Sequence, residues 1–305
     1  MVERLPAHTP YDGSSKPFTA GLQKLDLADW TEGGADLAPQ LLEKRRIYAE
    51  LADQVHVEEA DTIAAQREIL DLLVKHLTRH FPGIYRLAGD SVEIAGIGTV
   101  EVGSTVASPL KAAALLVAED LILMRASPEG WRLAAGSLCF PSHWSLLEKF
   151  GRPLHVIHSP VPGFGPATRM AEIINRMFDS LKIEQPMQRF NWSLQTGDDL
   201  YTPLSSDGRD YRATAKIPRF ADEAMARAFI RVERQTLRKL PVSGDILFTV
   251  RIHLDPLAVL ARHPDRSTIA LSFADQLLAL EEAQLDYKGM TADRDRLVET
   301  LRAMA

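Results

Sequence analysis

The strongest constraint on this chain is a hairpin. Residues 120–142 read "DLILMRASPEGWRLAAGSLCFPS", two β-rich runs on either side of Ser-Pro-Glu-Gly. Proline presets a turn-compatible φ and glycine tolerates positive φ, so this stretch reverses the chain and pairs the runs. Strands joined this way lie antiparallel, with no crossover helix between them. Residues 84 to 102, "IYRLAGDSVEIAGIGTVEV", repeat the pattern as short strands with glycine turns. "QRFNWSLQ" (188–195) and "ILFTVRIH" (246–253) are further strand candidates. In the latter, alternation puts Ile246, Phe248, Val250 and Ile252 on one face and Leu247, Thr249, Arg251 and His253 on the other.

Helical periods fall between these strands. "QLLEKRRIYAELADQ" (40–54) is one helix and "DTIAAQREILDLLVKHLTRHFPG" (61–83) a stronger one. In the second, Ile63, Ile69, Leu70, Leu73, Val74 and Leu77 make an apolar stripe. Another helix begins at 109, and "ATRMAEIINRMFDSLK" (167–182) is amphipathic. The first half of 222–253, through Leu240, reads as helix with Met225, Phe229, Val232, Leu237 and Leu240 largely inward. The tail from 255 is helical and charged, and 197–220 is loop-rich. Residues 1–35 read as an arm over the surface, pinned by Tyr11, Phe18 and Trp30. Helices inserted among hairpins, rather than alternating with strands, predict an α+β fold with an antiparallel sheet. Three regions are expected: an arm and first helix (1–60), a core (61–260) and C-terminal helices packed on it (261–305).

Several function classes drop out. The 305 residues carry a formal charge of -6, which gives no basic field for nucleic acid. The single cysteine, Cys139, excludes an internal disulfide and a multi-thiolate zinc site, and it fits a reducing cytoplasm. No apolar run approaches the ~20 residues of a membrane-spanning helix, and the first residues lack a signal-peptide core. No GxGxxG or GxxxxGK[ST] appears, and "GIG" at 96–98 lacks the third glycine.

The candidate chemistry centres on "PLHVIHSPVPGFG" (153–165). Read as a strand, it puts His158 on an apolar face with Leu154 and Val156, and His155 on the other face with Ile157. The prolines that follow hold the segment stiffly. An imidazole projecting among apolar side chains suits a haem axial ligand; it is also what a satisfied core histidine looks like, and the residues taken alone favour that plainer reading. On the expected helix 228–240, Arg231, Arg234 and Arg238 share a face with Glu233 around the turn, and Arg251 converges from the next strand. Guanidinium groups recognise carboxylates and phosphates; a solvated helix face gives the same pattern. Cys139 reads as a small buried hydrophobe. His76 and His80 are an i, i+4 pair without the glutamate of HExxH, and solvent-facing histidines explain them. Asn191-Trp192 either lines a pocket or packs.

Three segments together carry a resemblance. "GSLCFPSHWSLLEKFGRPLHVIHSPVPGF" (136–164), "RFNWSL" (189–194) and "RVERQTLRKLPVSGDILFTVRI" (231–252) are similar to the haem-dependent oxidative N-demethylase alpha subunits. The leader "PFTAGLQKLDLADW" (17–30) resembles that family as well, so the likeness spans roughly residues 10–260. It implies a PAS-like domain holding haem b, which oxidises a small secondary amine such as dimethylamine with dioxygen and releases formaldehyde. It implies electrons from NADPH through separate flavin and iron–sulfur reductase subunits, hence a hetero-oligomer. By this resemblance His158 is the axial ligand, with His155 and then His253 as alternatives. Arg231, Arg234 and Arg251 are the candidates for the haem propionates, and Glu233 for the acid that meets a cationic amine. A PAS-like haem or ligand sensor without turnover is the alternative, and a haem-free structural subunit a third reading.

Overall fold

The hairpin forms at Asp120–Ser127 (β6) and Gly130–Ser137 (β7), with Gly130 at a φ of +101° in the turn, as a left-handed backbone requires. This is a computed structural model, and it describes residues 4–205, 208, 217–221 and 223–305. Positions 206, 207 and 209–216, within the stretch read as loop-rich, lie outside the described residues, as does 222 at the start of the expected helix.

The hairpin belongs to a seven-stranded sheet. Its other strands are Gln23–Lys24 (β1), His56–Glu58 (β2), Met187–Thr196 (β8), Ala228–Lys239 (β9) and Ile246–Pro256 (β10). The order is β1-β8-β9-β10-β6-β7-β2, with every neighbouring pair antiparallel. Tyr85–Ala88 (β3), Ser91–Ile94 (β4) and Gly98–Glu101 (β5) form a separate antiparallel sheet. The α+β class with antiparallel sheet and flanking helices is therefore what the sequence predicts.

Helices cover both faces of the large sheet. Leu37–Val55 (α1), Ile63–His80 (α2) and Pro109–Ala114 (α3) share a core with Leu121, Leu123 and Leu247. The buried part of the predicted α2 stripe is Ile69, Leu70, Leu73 and Leu77. Leu146–Lys149 (α4), Leu154–Ile157 (α5) and Arg169–Asp179 (α6) pack through Leu146, Leu154 and Phe178 against Ile122, Met124 and Leu133. After a single turn at Glu223–Ala226 (α7) come Arg266–Ala279 (α8), Glu282–Lys288 (α9) and Arg294–Met304 (α10). These last helices form a core with Trp192, Ile230 and Val232. The arm is pinned as expected: Tyr11 is buried and stacks on Phe273 at 4.4 Å, and Trp30 is fully buried beneath the Arg238 guanidinium at 4.1 Å. No helix among the described residues is long and apolar enough to cross a membrane.

Three local readings are corrected. Residues 228–239 are strand β9, not helix. Phe229, Ile230, Val232 and Thr236 favour a pleated surface, and pairing with β8 on one side and β10 on the other outweighs the helical period. Residues 154–157 are the one-turn helix α5, not a strand. The chain meets the free edge of β7 at the Arg132/Pro153 bridge and the Leu133 amide donates to the Arg152 carbonyl, and from Leu154 on it turns into helix and packs on Leu133 through side chains instead of extending the ladder. His76 does not face solvent: it is buried, edge-on to Trp30 at 5.3 Å.

Candidate functional site

A cavity of about 260 Å³ lies between one face of the large sheet and the α4–α6 layer, with residues of the arm and of α9 also lining it. Register fixes which strand residues reach it. Arg189 pairs with Gln235, Asn191 with Glu233, and Gln235 with Val250, while Leu237 pairs with Phe248 and Phe248 with Ile122. Side chains paired across antiparallel strands share a face, and all of these line the cavity. Most of the wall is apolar; its polar groups come from β8, β9 and α9 and, on the opposite side, from Ser142, His143, Lys149 and His158.

The imidazole comes from the opposite layer. Pro153 caps α5 in extended geometry, the His158 amide donates to the Leu154 carbonyl at 2.9 Å, and Pro160 prevents the helix from continuing. Leu154, Ile157 and His158 are spaced i, i+3, i+4, so one helix face carries all three into the cavity. His155 and His253 do not line it. Burial pushes the His158 imidazole down to about 4, and the charges of Lys149 and Arg189 push the same way. At neutral pH one of its two ring nitrogens therefore keeps an available lone pair.

Glu233 also lines the cavity. Its Oε2 accepts from Gln235 Nε2 at 2.9 Å and from Asn191 Nδ2 at 3.3 Å. Lys288 reaches in from the end of α9, where Gly289 at a φ of +65° stops the helix. Its ammonium donates to the Trp192 carbonyl and to Asn191 Oδ1, and lies 4.8 Å from the Trp192 ring centroid. Burial pushes Lys288 down to about 8, against the pull of Glu233. Arg189 is held below its ordinary range by burial, again opposed by Glu233. Its Nε is buried without a hydrogen-bond partner among the described residues.

The predicted arginines do not meet at the cavity, and only Arg234 and Arg251 come together. On a strand, residues 231 and 234 point to opposite faces. Arg231 is fully buried and donates to the Phe140 carbonyl at 2.6 Å and to Gln195 Oε1 at 3.3 Å. Arg234 lies on the far face with Arg251, its register partner. It donates to Gln188 Oε1 at 3.1 Å and to the Asp29 carbonyl, and Arg251 donates to Gln40 Oε1 at 2.6 Å. None of the three lines the cavity. Cys139 is fully buried, its thiol pushed up to about 12 by burial, and its amide donates to Asp120. Asn191-Trp192 divides its roles: Asn191 faces the cavity, and Trp192 packs on Phe273 and donates to Gln276 on the other side.

The sequence reading missed Arg189 and Lys288. Alternation with Asn191 in "QRFNWSL" places Arg189 on the cavity face, a signal available from the strand alone. Lys288 stands 97 positions beyond Asn191, and no local pattern connects them.

The model of the family described as haem-dependent oxidative N-demethylase, alpha subunit-like, matches residues 21–298. The chain belongs to that family. Its residues suit the cofactor the family name specifies: an imidazole kept neutral by burial, set among apolar walls, and a guanidinium with an open donor on the same cavity. The family is oxidative, so the chain's chemistry is that of an oxidoreductase.

Proposed function

We propose that the chain is the haem b-binding, oxygen-using subunit of an N-demethylase acting on a small secondary amine such as dimethylamine, with formaldehyde released. The observation that carries this reading is that His158 and Glu233 line one cavity, the imidazole from the helical layer and the carboxylate from the sheet. His158 is the residue that would hold the iron, and Arg189 the one whose open Nε would meet a propionate. When bound, the haem supplies oxidation of an N-methyl group by dioxygen.

The side chains supply the rest. A protonated dialkylamine needs a counter-charge in an apolar cavity, and the Glu233 carboxylate provides one. Asn191 and Gln235 both donate to Oε2, which fixes the carboxylate and directs Oε1 to the ammonium N–H. Lys288, held near 8 by burial, keeps a cation in the same wall as Glu233. Phe248, Val250 and Leu133 exclude water from the methyl group under attack.

Electrons must come from outside. The one cysteine cannot hold an iron–sulfur cluster. NADPH, flavin and iron–sulfur centres are therefore assigned to partner reductase subunits in a cytoplasmic hetero-oligomer. The antiparallel sheet with helices closing a ligand cavity is read as a PAS-like core over 61–260, with 1–60 as arm and first helix and 261–305 as the packed tail.

Absorption spectra of the purified chain, with and without reductant and carbon monoxide, test the cofactor. A Soret band that responds to both is expected; its absence after haem reconstitution overturns the reading. Dimethylamine-dependent formaldehyde release with a supplied reductase tests the activity, and a haem protein that never turns over would instead be a sensor.

A further inference from the structure

A second constellation lies on the sheet face opposite the cavity. His8 from the arm, Glu32, and His253 from β10 meet there, brought from three distant parts of the chain. His8 Nε2 is 2.7 Å from Glu32 Oε1, and His253 Nε2 is 2.9 Å from Oε2. All the donor atoms lie within 4.8 Å of one another. A carboxylate bonded to two imidazoles would by itself be a staple between arm and sheet. Asp255 is what that explanation leaves out. It follows His253 by two residues on β10, so it shares the same face. Its Oδ2 is buried without a hydrogen-bond partner among the described residues.

We propose that His8, Glu32 and His253 bind a first-row divalent cation, zinc-like in its preference, with Asp255 as the second carboxylate of the site. Two imidazoles and a carboxylate are a donor set such ions favour. Ligands about 2.0–2.2 Å from zinc in tetrahedral array sit roughly 3.4 Å apart, so the present spacing needs only a small adjustment. Charge agrees. The Arg234 Nε lies 3.7 Å from Glu32 Oε1 and Arg4 acts on Asp255, both opposing a dication, but Asp36 adds a third carboxylate, and three carboxylates against two guanidinium groups leave the site negative. Arg234 is tied to Gln188 and to the main chain of Asp29, so it braces Glu32 from behind. Occupancy would clamp the arm, whose Phe18 and Leu22 line the cavity beyond.

The test is zinc titration of the full chain after chelator treatment, read by competition with a chromogenic chelator and by elemental analysis. Zinc is counted separately from iron, so the result stands whether or not haem is bound. One zinc per chain is expected. His8→Ala should weaken binding roughly tenfold or more, and Glu32→Gln and His253→Asn likewise. His8 sits on the half-buried arm, so its variant keeps the fold, which a matching circular dichroism spectrum verifies. His80→Ala, at the other histidine pair, should bind as wild type does. No uptake at micromolar zinc, wild-type affinity in His8→Ala, or loss of binding in His80→Ala would each overturn the assignment.

Discussion

A neutral imidazole donates a lone pair, and a protonated one cannot. Burial and the nearby charges of Lys149 and Arg189 keep His158 neutral at physiological pH. His158→Ala should therefore abolish haem retention and the Soret band, while His155→Ala leaves both unchanged; the reverse pattern would refute the assignment. Glu233→Gln keeps the shape of the group and removes its charge. Turnover of a cationic amine should fall by about 10²-fold or more with haem content unchanged, measured as formaldehyde release. His76 is a purely structural case of the same physics. Its pKa falls from 6.5 to about 4 on folding, through burial first and then the charges of His80 and Arg238. Between those values the unfolded chain binds a proton and the folded chain does not, so stability falls as pH drops. The loss is on the order of 2 kcal/mol from about pH 7 to about pH 5. Urea midpoints at the two pH values should differ less in His76→Leu than in wild type.

At the scale of elements, periodicity was readable where one face met one core. The hairpin, α1, α2 and the amphipathic α6 are legible for that reason, and so are β8 and the two faces of β10. It failed where different periods select overlapping sets. Residues 154 and 158 share a face in a strand because their spacing is even, and in a helix because four residues make about one turn. His158 was therefore placed beside Leu154 correctly on a wrong element, while Val156 proved exposed and Ile157 took its place. β9 is the opposite case: helical spacing grouped Arg231 with Arg234, and the pleat separates them. The energetic link between elements is clearest at Lys44 of α1. Its ammonium is fully buried, 3.7 Å from Asp120 at the start of β6, and donates to the Glu119 carbonyl. Asp120 in turn accepts the amides of Cys139 at 2.8 Å and Phe140 at 2.9 Å. Lys44→Met removes the larger of the two positive charges that act on that carboxylate, leaving Arg231, and should cost about 3 kcal/mol in chemical denaturation. A loss under about 1 kcal/mol would mean that Asp120 is satisfied by the two amides and Arg231 without Lys44.

At the scale of the molecule, the cavity draws its walls from nearly the whole chain: Phe18 and Leu22 of the arm, both hairpin strands, α5 and α6, the central strands, and Tyr287 with Lys288 of α9. Such a site cannot be read from any window of sequence, because its parts become neighbours only through the sheet order. It also ties ligand binding to the stability of distant segments, since a ligand that binds only the folded state stabilises by RT ln(1 + [L]/Kd), about 2.7 kcal/mol at a hundredfold excess over Kd. Haem loading should therefore raise the unfolding temperature in a concentration-dependent way. Its imprint on amide hydrogen exchange should be spread along the sequence, with slower exchange at residues 18–24 and 282–290 as well as at 154–164. Protection confined to 154–164 would mean that the arm and α9 merely neighbour the site. Protection at all three would make the arm and α9 working walls of the cavity, and Lys288→Met should then weaken it at 282–290 while sparing 154–164.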